Sequence, residues 1–275
     1  MLSSLSAGVS GLENFQEQMD VIGNNIANIN TTAFKAGSVD FAEAFSNTLQ
    51  GAGTTTPAVQ VGTGSTIGGI DSNWATGGQT NTGVASNLDI SGNGNGFFEV
   101  VDPVTKASYV TQDGTFTVNA SGKLVTANGD YVQGYTDSSL STIGNISIAS
   151  PDSTNPMVSY NIDSQGTITM TLADGTTAVA GQVLLQNFAA PQMLVSEGNN
   201  LYSNMAAAGP TTATLAAPGS NGLGTIQSGA VEGSNVDLSN EMANLITAQR
   251  AFEANSKIVT TCNEVLQTVV NMKQN

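Results

Sequence analysis

MLSSLSAGVSGLENFQEQMDVIGNNIANINTTAFK, residues 1–35, decides how the rest of the chain is read. Its apolar residues Leu2, Leu5, Val9, Leu12, Met19, Ile22 and Ile26 recur at steps of three and four, broken once near Phe15, which is the spacing of a helical seam. The other end of the chain matches it. Leu238, Met242, Leu245, Phe252, Val259, Cys262, Leu266, Val269 and Met272 keep the same steps, with Gln249 and Ser256 as polar interruptions. A helix of about thirty residues spans roughly 45 Å and cannot bury its stripe on itself. Ordering its backbone costs about 1–2 kcal/mol per residue, and each large apolar side chain returns about 1.5–3 kcal/mol only once it is buried. Both stripes therefore need a receiving surface, which predicts a subunit that assembles through its termini. Docking on the middle of the chain is the competing reading, but the middle is poor in large apolar residues.

The first helix is expected to end within residues 24–32, where Asn and Thr side chains compete for helical backbone bonds. Asn24, Asn25 and Asn28 share one helical face and read either as a frayed cap or as amides that bond to neighbouring chains. Phe41, Phe45 and Leu49 then fit a brief amphipathic helix or an extended arm, and the Gly/Thr-rich residues 51–66 read as a flexible loop. From Ile67 the grammar is β. Short apolar runs alternate with Asp113-Gly114, Ser121-Gly122, Asn128-Gly129, Gln165-Gly166 and Asp174-Gly175, turns that place Gly where a hairpin needs a positive φ. Residues 206–220 form a second loop, and Asn235 or Asp237 caps the last helix.

The expected fold class is therefore α+β: paired N- and C-terminal coiled-coil-like helices plus an antiparallel β-rich central domain of sandwich or barrel type. Residues 1–32 and 236–275 form the inner assembly domain, 33–66 a linking arm and loop, and 67–235 the β-rich core. The expected assembly interface comprises the stripe residues from Leu2 to Ile26 and from Leu238 to Val269, together with Asn24, Asn25, Asn28, Gln249 and Arg250.

The 275 residues carry 21 acidic and 6 basic side chains, a net charge of −15. The basic residues are scattered singly, which argues against nucleic-acid binding. There is no histidine, so neither a Ser-His-Asp arrangement nor an imidazole metal site can be built. Cys262, the lone cysteine, falls on an apolar stripe and reads as a small buried hydrophobe. Asp102, Asp113, Asp130, Asp163 and Asp174 fall in the β region, nearly all of them in turns or loops, where Asp serves the backbone. Residues 91–96 lack the Lys-Ser/Thr and the helix of a phosphate loop, and Asp71 and Asp89 lack calcium-loop spacing. No enzyme activity, cofactor or metal is expected. Residues 1–10 lack the basic start and apolar run of a signal peptide, and no stretch approaches the ~18 apolar residues of a membrane span, so no membrane insertion is expected. An adhesin or carbohydrate-binding β module is the alternative from another class, though Trp74 is the only Trp.

Asn24-Asn25-Ile26-Ala27-Asn28-Ile29-Asn30-Thr31-Thr32-Ala33-Phe34-Lys35 resembles the N-terminal signature of the bacterial flagellar rod and hook proteins. Ser234-Asn235-Val236-Asp237-Leu238 with Gln249-Arg250 resembles their C-terminal one. Gly94-Asn95-Gly96-Phe97-Phe98, Gly114-Thr115-Phe116, Gly122-Lys123-Leu124-Val125, Gly134-Tyr135, Gly198-Asn199 and Tyr202 follow the family's β-domain pattern in order. Three positions depart from it: Ala33 stands where the family usually has Gly, Gln112 where it usually has Arg, and Gly92 where an apolar residue is usual. The resemblance implies export through the flagellar type III apparatus and polymerisation into a helical tube lined by the terminal helices. Within the family, Val236-Asp237-Leu238 and Gln133-Gly134-Tyr135 look most like the hook, a universal joint between motor and filament, with the distal rod subunit as the alternative. The implied partners are copies of itself, the distal rod protein, the hook cap, the hook-filament junction proteins and the export apparatus.

Overall fold

The computed structural model describes residues 2–51, 53, 57–92, 95–149, 155–212 and 214–274, excepting the side chains of Leu2, Lys273 and Gln274. The described residues form three α-helices, α1 (Leu2–Ala27), α2 (Met205–Ala208) and α3 (Leu238–Gln274), and twenty strands. The chain divides into two compact units.

The first unit consists of Met1–Ile29, Ala36–Asn73 and Val236–Asn275. Helix α1 ends in the Asn-rich stretch as its composition predicts: the Asn28 side chain donates to the Asn24 carbonyl (2.9 Å) and carboxamide oxygen (2.8 Å). Of the two candidate caps for α3, Asp237 takes the role, accepting from the Ser239 N–H at 2.8 Å. The two helices run antiparallel against each other. A Cβ at Gly8 would meet Val259 at 3.1 Å, and one at Gly11 would stand 2.7 Å from the Asn255 carboxamide nitrogen. Asn25 donates to Glu241 at 3.1 Å. Gly8 and Gly11 thus let the helices approach closely, with small and polar residues at points of the seam where the stripes suggest interlocked large side chains.

Strands β1 (Gly37–Glu43) and β4 (Ser65–Ser72) pair antiparallel, as do β2 (Ser46–Gln50) and β3 (Val59–Gly62). Ala44 N–H to Gly64 O (3.0 Å) and Thr63 N–H to Phe45 O (3.1 Å) continue the ladder between them. Residues 37–50 and 59–72 therefore form one two-stranded ribbon, so the linking arm and the later part of the expected flexible loop are corrected to β strands, while residues 52 and 54–56 of that loop lie outside the described residues. The extended alternative for Phe41 to Leu49 is the one observed. Composition misleads here because Gly, Thr and Ser read as loop, although a ladder needs only backbone groups. Asn14 anchors the ribbon to α1 through Ser65 Oγ at 2.8 Å, and Phe15 meets Phe41 with ring centroids 5.7 Å apart.

The second unit consists of Asn30–Lys35 and Trp74–Asn235, so the β-rich core begins at 74, after the ribbon, and not at 67. It contains β5 (Gln79–Asn81), β6 (Leu88–Ser91), β7 (Phe97–Val101), β8 (Ser108–Thr111), β9 (Thr117–Val118), β10 (Leu124–Val125), β11 (Tyr131–Tyr135) and β12 (Ile143–Asn145). There follow β13 (Met157–Ile162), β14 (Thr167–Leu172), β15 (Thr177–Val183), β16 (Leu185–Gln186), β17 (Val195–Gly198), β18 (Leu201–Ser203), β19 (Thr225–Ser228) and β20 (Ala230–Glu232). Twelve of these form one antiparallel sheet along the path β13-β14-β15-β11-β7-β8-β18-β17, and β6-β19 and β5-β20 form separate pairs. The main core holds Leu88, Phe98, Phe116, Leu124, Val132, Ile146 and Ile168, with Phe98 and Phe116 edge to face at 5.0 Å. A satellite core holds Phe97, Val110, Phe188 and Tyr202, with Trp74 packed against it. Four of the five predicted turn glycines adopt positive φ, at 122, 129, 166 and 175. Gly114 does not; a Cβ there would lie 1.6 Å from the Leu88 carbonyl oxygen, so that glycine serves a backbone crossing.

Candidate assembly surfaces

The expected interface residues fall into three groups. Ile22 and Asn25 are buried, and Leu5, Leu12, Met19, Ile26, Asn28, Leu245, Phe252, Val259, Cys262 and Leu266 are half-buried. Val9, Asn24, Leu238, Met242, Gln249, Arg250 and Val269 are exposed. The side chain of Leu2 lies outside the described residues. Asn25 is held inside its own chain, exchanging bonds with Gly37 (Nδ2 to O 2.8 Å, N–H to Oδ1 2.9 Å) as well as with Glu241.

Two apolar surfaces remain open in this unit. On α3, Leu238, Met242 and Ile246 follow each other at steps of four, and Ile258, Val265, Val269 and Met272 continue toward its end, all exposed. Because Gly8 lies opposite Val259, the last turns of α3 beyond Leu266 run past the start of α1. On the ribbon, every residue of β2 and β3 is exposed, with Phe45 at 93% and Leu49 at 70%. A bare two-stranded hairpin is marginal in water, and this one displays apolar side chains as well.

In the second unit, the signature residues build a buried crossing of three chain segments. Lys35 Nζ donates to Glu232 Oε1 (2.8 Å) and to the Ala75 carbonyl (3.2 Å), with both charged side chains almost fully buried. The Gly77 N–H reaches the same carboxylate oxygen at 2.7 Å, and the Ala33 N–H reaches the Glu232 carbonyl at 2.9 Å. Burial, and after it the charge of Glu232, pushes the Asp89 carboxyl above the ordinary carboxylate range. The Tyr202 phenol is raised by the same two causes in that order. This crossing was not legible in the sequence, because Lys35 and Glu232 stand 197 residues apart.

The departures from the family pattern now have a structural account. Ala33 has φ +53 and is buried, so the left-handed turn survives with an alanine in it. Gln112 is buried and donates to the Gly96 carbonyl at 3.2 Å. Gly92 has φ +89 with nothing within 4 Å of a Cβ built on it, so no buried side chain is missing there.

A polar pocket of about 200 Å³ opens among Thr31, Thr32, Thr111, Asp113, Thr115, Thr126, Ala127, Asn128, Asn199, Asn200 and Leu201. Four of the five turn carboxylates serve backbone groups: Asp102 accepts from Val104 (2.7 Å), Asp113 from Thr115 (3.0 Å), Asp163 from Thr167 (2.8 Å) and Asp174 from Thr176 (2.9 Å), whereas Asp130 accepts from the Thr126 hydroxyl (3.4 Å). Among the described residues, no three His, Cys, Asp or Glu side chains come together as a metal site. Trp74, the residue an adhesin would display, stacks edge-on against Phe97 (5.3 Å) and Tyr202 (5.1 Å). No described helix is long and apolar enough to cross a membrane.

Comparison with known proteins identifies three matching family models. Residues 5–35 match the flagella basal body rod protein family, residues 92–170 the flagellar hook protein FlgE/F/G D1 domain, and residues 227–272 the flagellar basal body rod FlgEFG protein C-terminal region. The flagellar basal-body rod protein FlgG of Bacillus subtilis is 39% identical over 280 residues, covering 100% of both chains. That of Caulobacter vibrioides is 34% identical, covering 99% of this chain and 100% of its own. The flagellar hook protein FlgE of Escherichia coli is 39% identical over 117 residues, 42% of this chain and 29% of its own.

Proposed function

Because the chain belongs to the family of bacterial flagellar rod and hook axial proteins, structural components of the flagellum and not enzymes, we propose that it is the distal rod subunit. The observation that carries this reading is the extent of the similarity: relatives named as rod protein match along the whole chain, and the hook protein matches over less than half of it. Val236-Asp237-Leu238 and Gln133-Gly134-Tyr135, which look most like the hook, keep the hook as the second reading.

In this proposal, copies polymerise into a helical tube whose inner layer is built from α1 and α3, joined in coiled-coil fashion to neighbouring copies through the exposed face of α3. The ribbon supports a rod over a joint. A shaft that transmits torque without bending needs interlocked outer contacts, and Phe45, Leu49, Val59 and Val61 are exposed apolar side chains suited to them. The hook would be the neighbour at one end of the polymer, and the chain would reach its place through the type III apparatus.

Electron microscopy of purified flagella carrying a tag in this chain tests the reading. The label should decorate a straight segment within the cell envelope. Label along the curved segment outside the cell would overturn it in favour of the hook.

A further inference from the structure

The polar pocket of the second unit has a counterpart at the other end of β8. Residues 102–107, between β7 and β8, form a turn built around Asp102. Its backbone N–H donates to the Ala107 carbonyl (3.0 Å), and its carbonyl accepts from the Lys106 N–H (3.0 Å). Its carboxylate accepts from the Val104 N–H (2.7 Å) and the Thr105 hydroxyl (2.6 Å). These bonds hold the tip in one shape, so docking it loses little conformational freedom. The tip presents Val104, 84% exposed, and Lys106, exposed and at φ +61.

Among the described residues of the second unit, Lys106 is the most exposed basic side chain. Lys35 is buried against Glu232, Lys123 lies 4.7 Å over the Tyr131 ring, and Arg250, Lys257 and Lys273 belong to α3. The pocket has the opposite character: the negative charge of a half-buried Asp113, whose carboxylate is fixed by the Thr115 N–H and hydroxyl (both 3.0 Å), with Thr126 turned to Asp130 (3.4 Å) and Leu201 as an apolar patch. Six residues, including strand β8, separate Lys106 from Asp113, roughly 20 Å of extended chain, so the lysine cannot reach the pocket of its own copy.

We propose that the Val104–Lys106 tip of one copy seats in the Asp113 pocket of a second copy. The inference rests on the self-assembly reading above. Tip and pocket are different surfaces, so the contact is heterologous and each bound copy leaves one of each free, the arrangement from which open helical polymers grow. Between copies that each carry a net charge of −15, a lysine-carboxylate contact also sets register against general repulsion.

The test is sedimentation of polymer from the purified full chain across a concentration series. Lys106→Glu should raise the concentration needed for polymerisation about tenfold, the effect of about 1.4 kcal/mol per contact. Asn128→Lys on the exposed pocket wall should restore it in the Lys106→Glu background, with monomer melting unchanged in both variants. Lys106→Glu assembling like the parent would overturn the contact, as would a loss that Asn128→Lys leaves in place. A parent chain that never polymerises would remove the self-assembly reading itself, and the contact with it.

Discussion

The β unit and the helical unit satisfy their hydrophobic residues in different ways. In the β unit Phe98, Phe116, Leu124 and Val132 have no solvent exposure worth the name, and most exposed positions are polar. In the helical unit Ile22 and Ala248 are buried, but Leu238, Met242, Ile246, Phe45 and Leu49 remain open although α1, α3 and the ribbon already cover one another. The β unit encloses a large apolar core, although Val104, Val158 and Met193 stay open on its surface, and the helical unit encloses far less, which agrees with the proposal that neighbouring copies complete it.

The largest effect that would sharpen this contrast lies in the β unit. Lys35→Met leaves Glu232 buried without its cation and should cost about 3–5 kcal/mol in urea unfolding, whereas Lys35→Met with Glu232→Leu should recover most of that loss. An equal loss in the double variant would mean that the crossing needs charge and not only packing. Next comes Leu245→Asp on α3, which should abolish polymer while leaving the melting of the β unit unchanged; normal polymers would show that this stripe is dispensable.

Asp89 gives a pH-dependent contrast. Its folded carboxyl is raised above 3.8 by burial and then by Glu232, so the folded state binds that proton more tightly than the unfolded one. Stability should therefore fall as pH rises from the ordinary carboxylate value through the raised one. Asp89→Asn should flatten that part of the profile, and an unaltered profile would assign the slope to another group. The smallest effect is a gain: Ala33→Gly relieves a left-handed alanine and should stabilise the chain by about 0.5–1 kcal/mol, seen as a higher urea midpoint.

These effects divide by how visible their causes were in the sequence. The terminal helices were legible because Leu and Ile at steps of three and four leave few alternatives, and the β body was legible because turn glycines punctuate it. The ribbon was not. Its ladder is made by backbone groups, and residues such as Thr48, Gln60 and Gly62 carry no periodic signal. The seam between α1 and α3 was only half legible, since Gly8 and Gly11 make it by having no side chain. The crossing at Lys35 joins segments that sequence spacing cannot bring together, and the signature showed only that a lysine follows Phe34.

The account turns on the helical unit being incomplete until copies join, and amide hydrogen exchange on monomer and polymer tests this most directly. The end of α3 beyond Leu266 and the strands β2 and β3 should exchange fast in the monomer and slowly in the polymer, whereas Phe98, Leu124 and Val132 should be slow in both. Equal protection of α3 and the ribbon in the two states would contradict it.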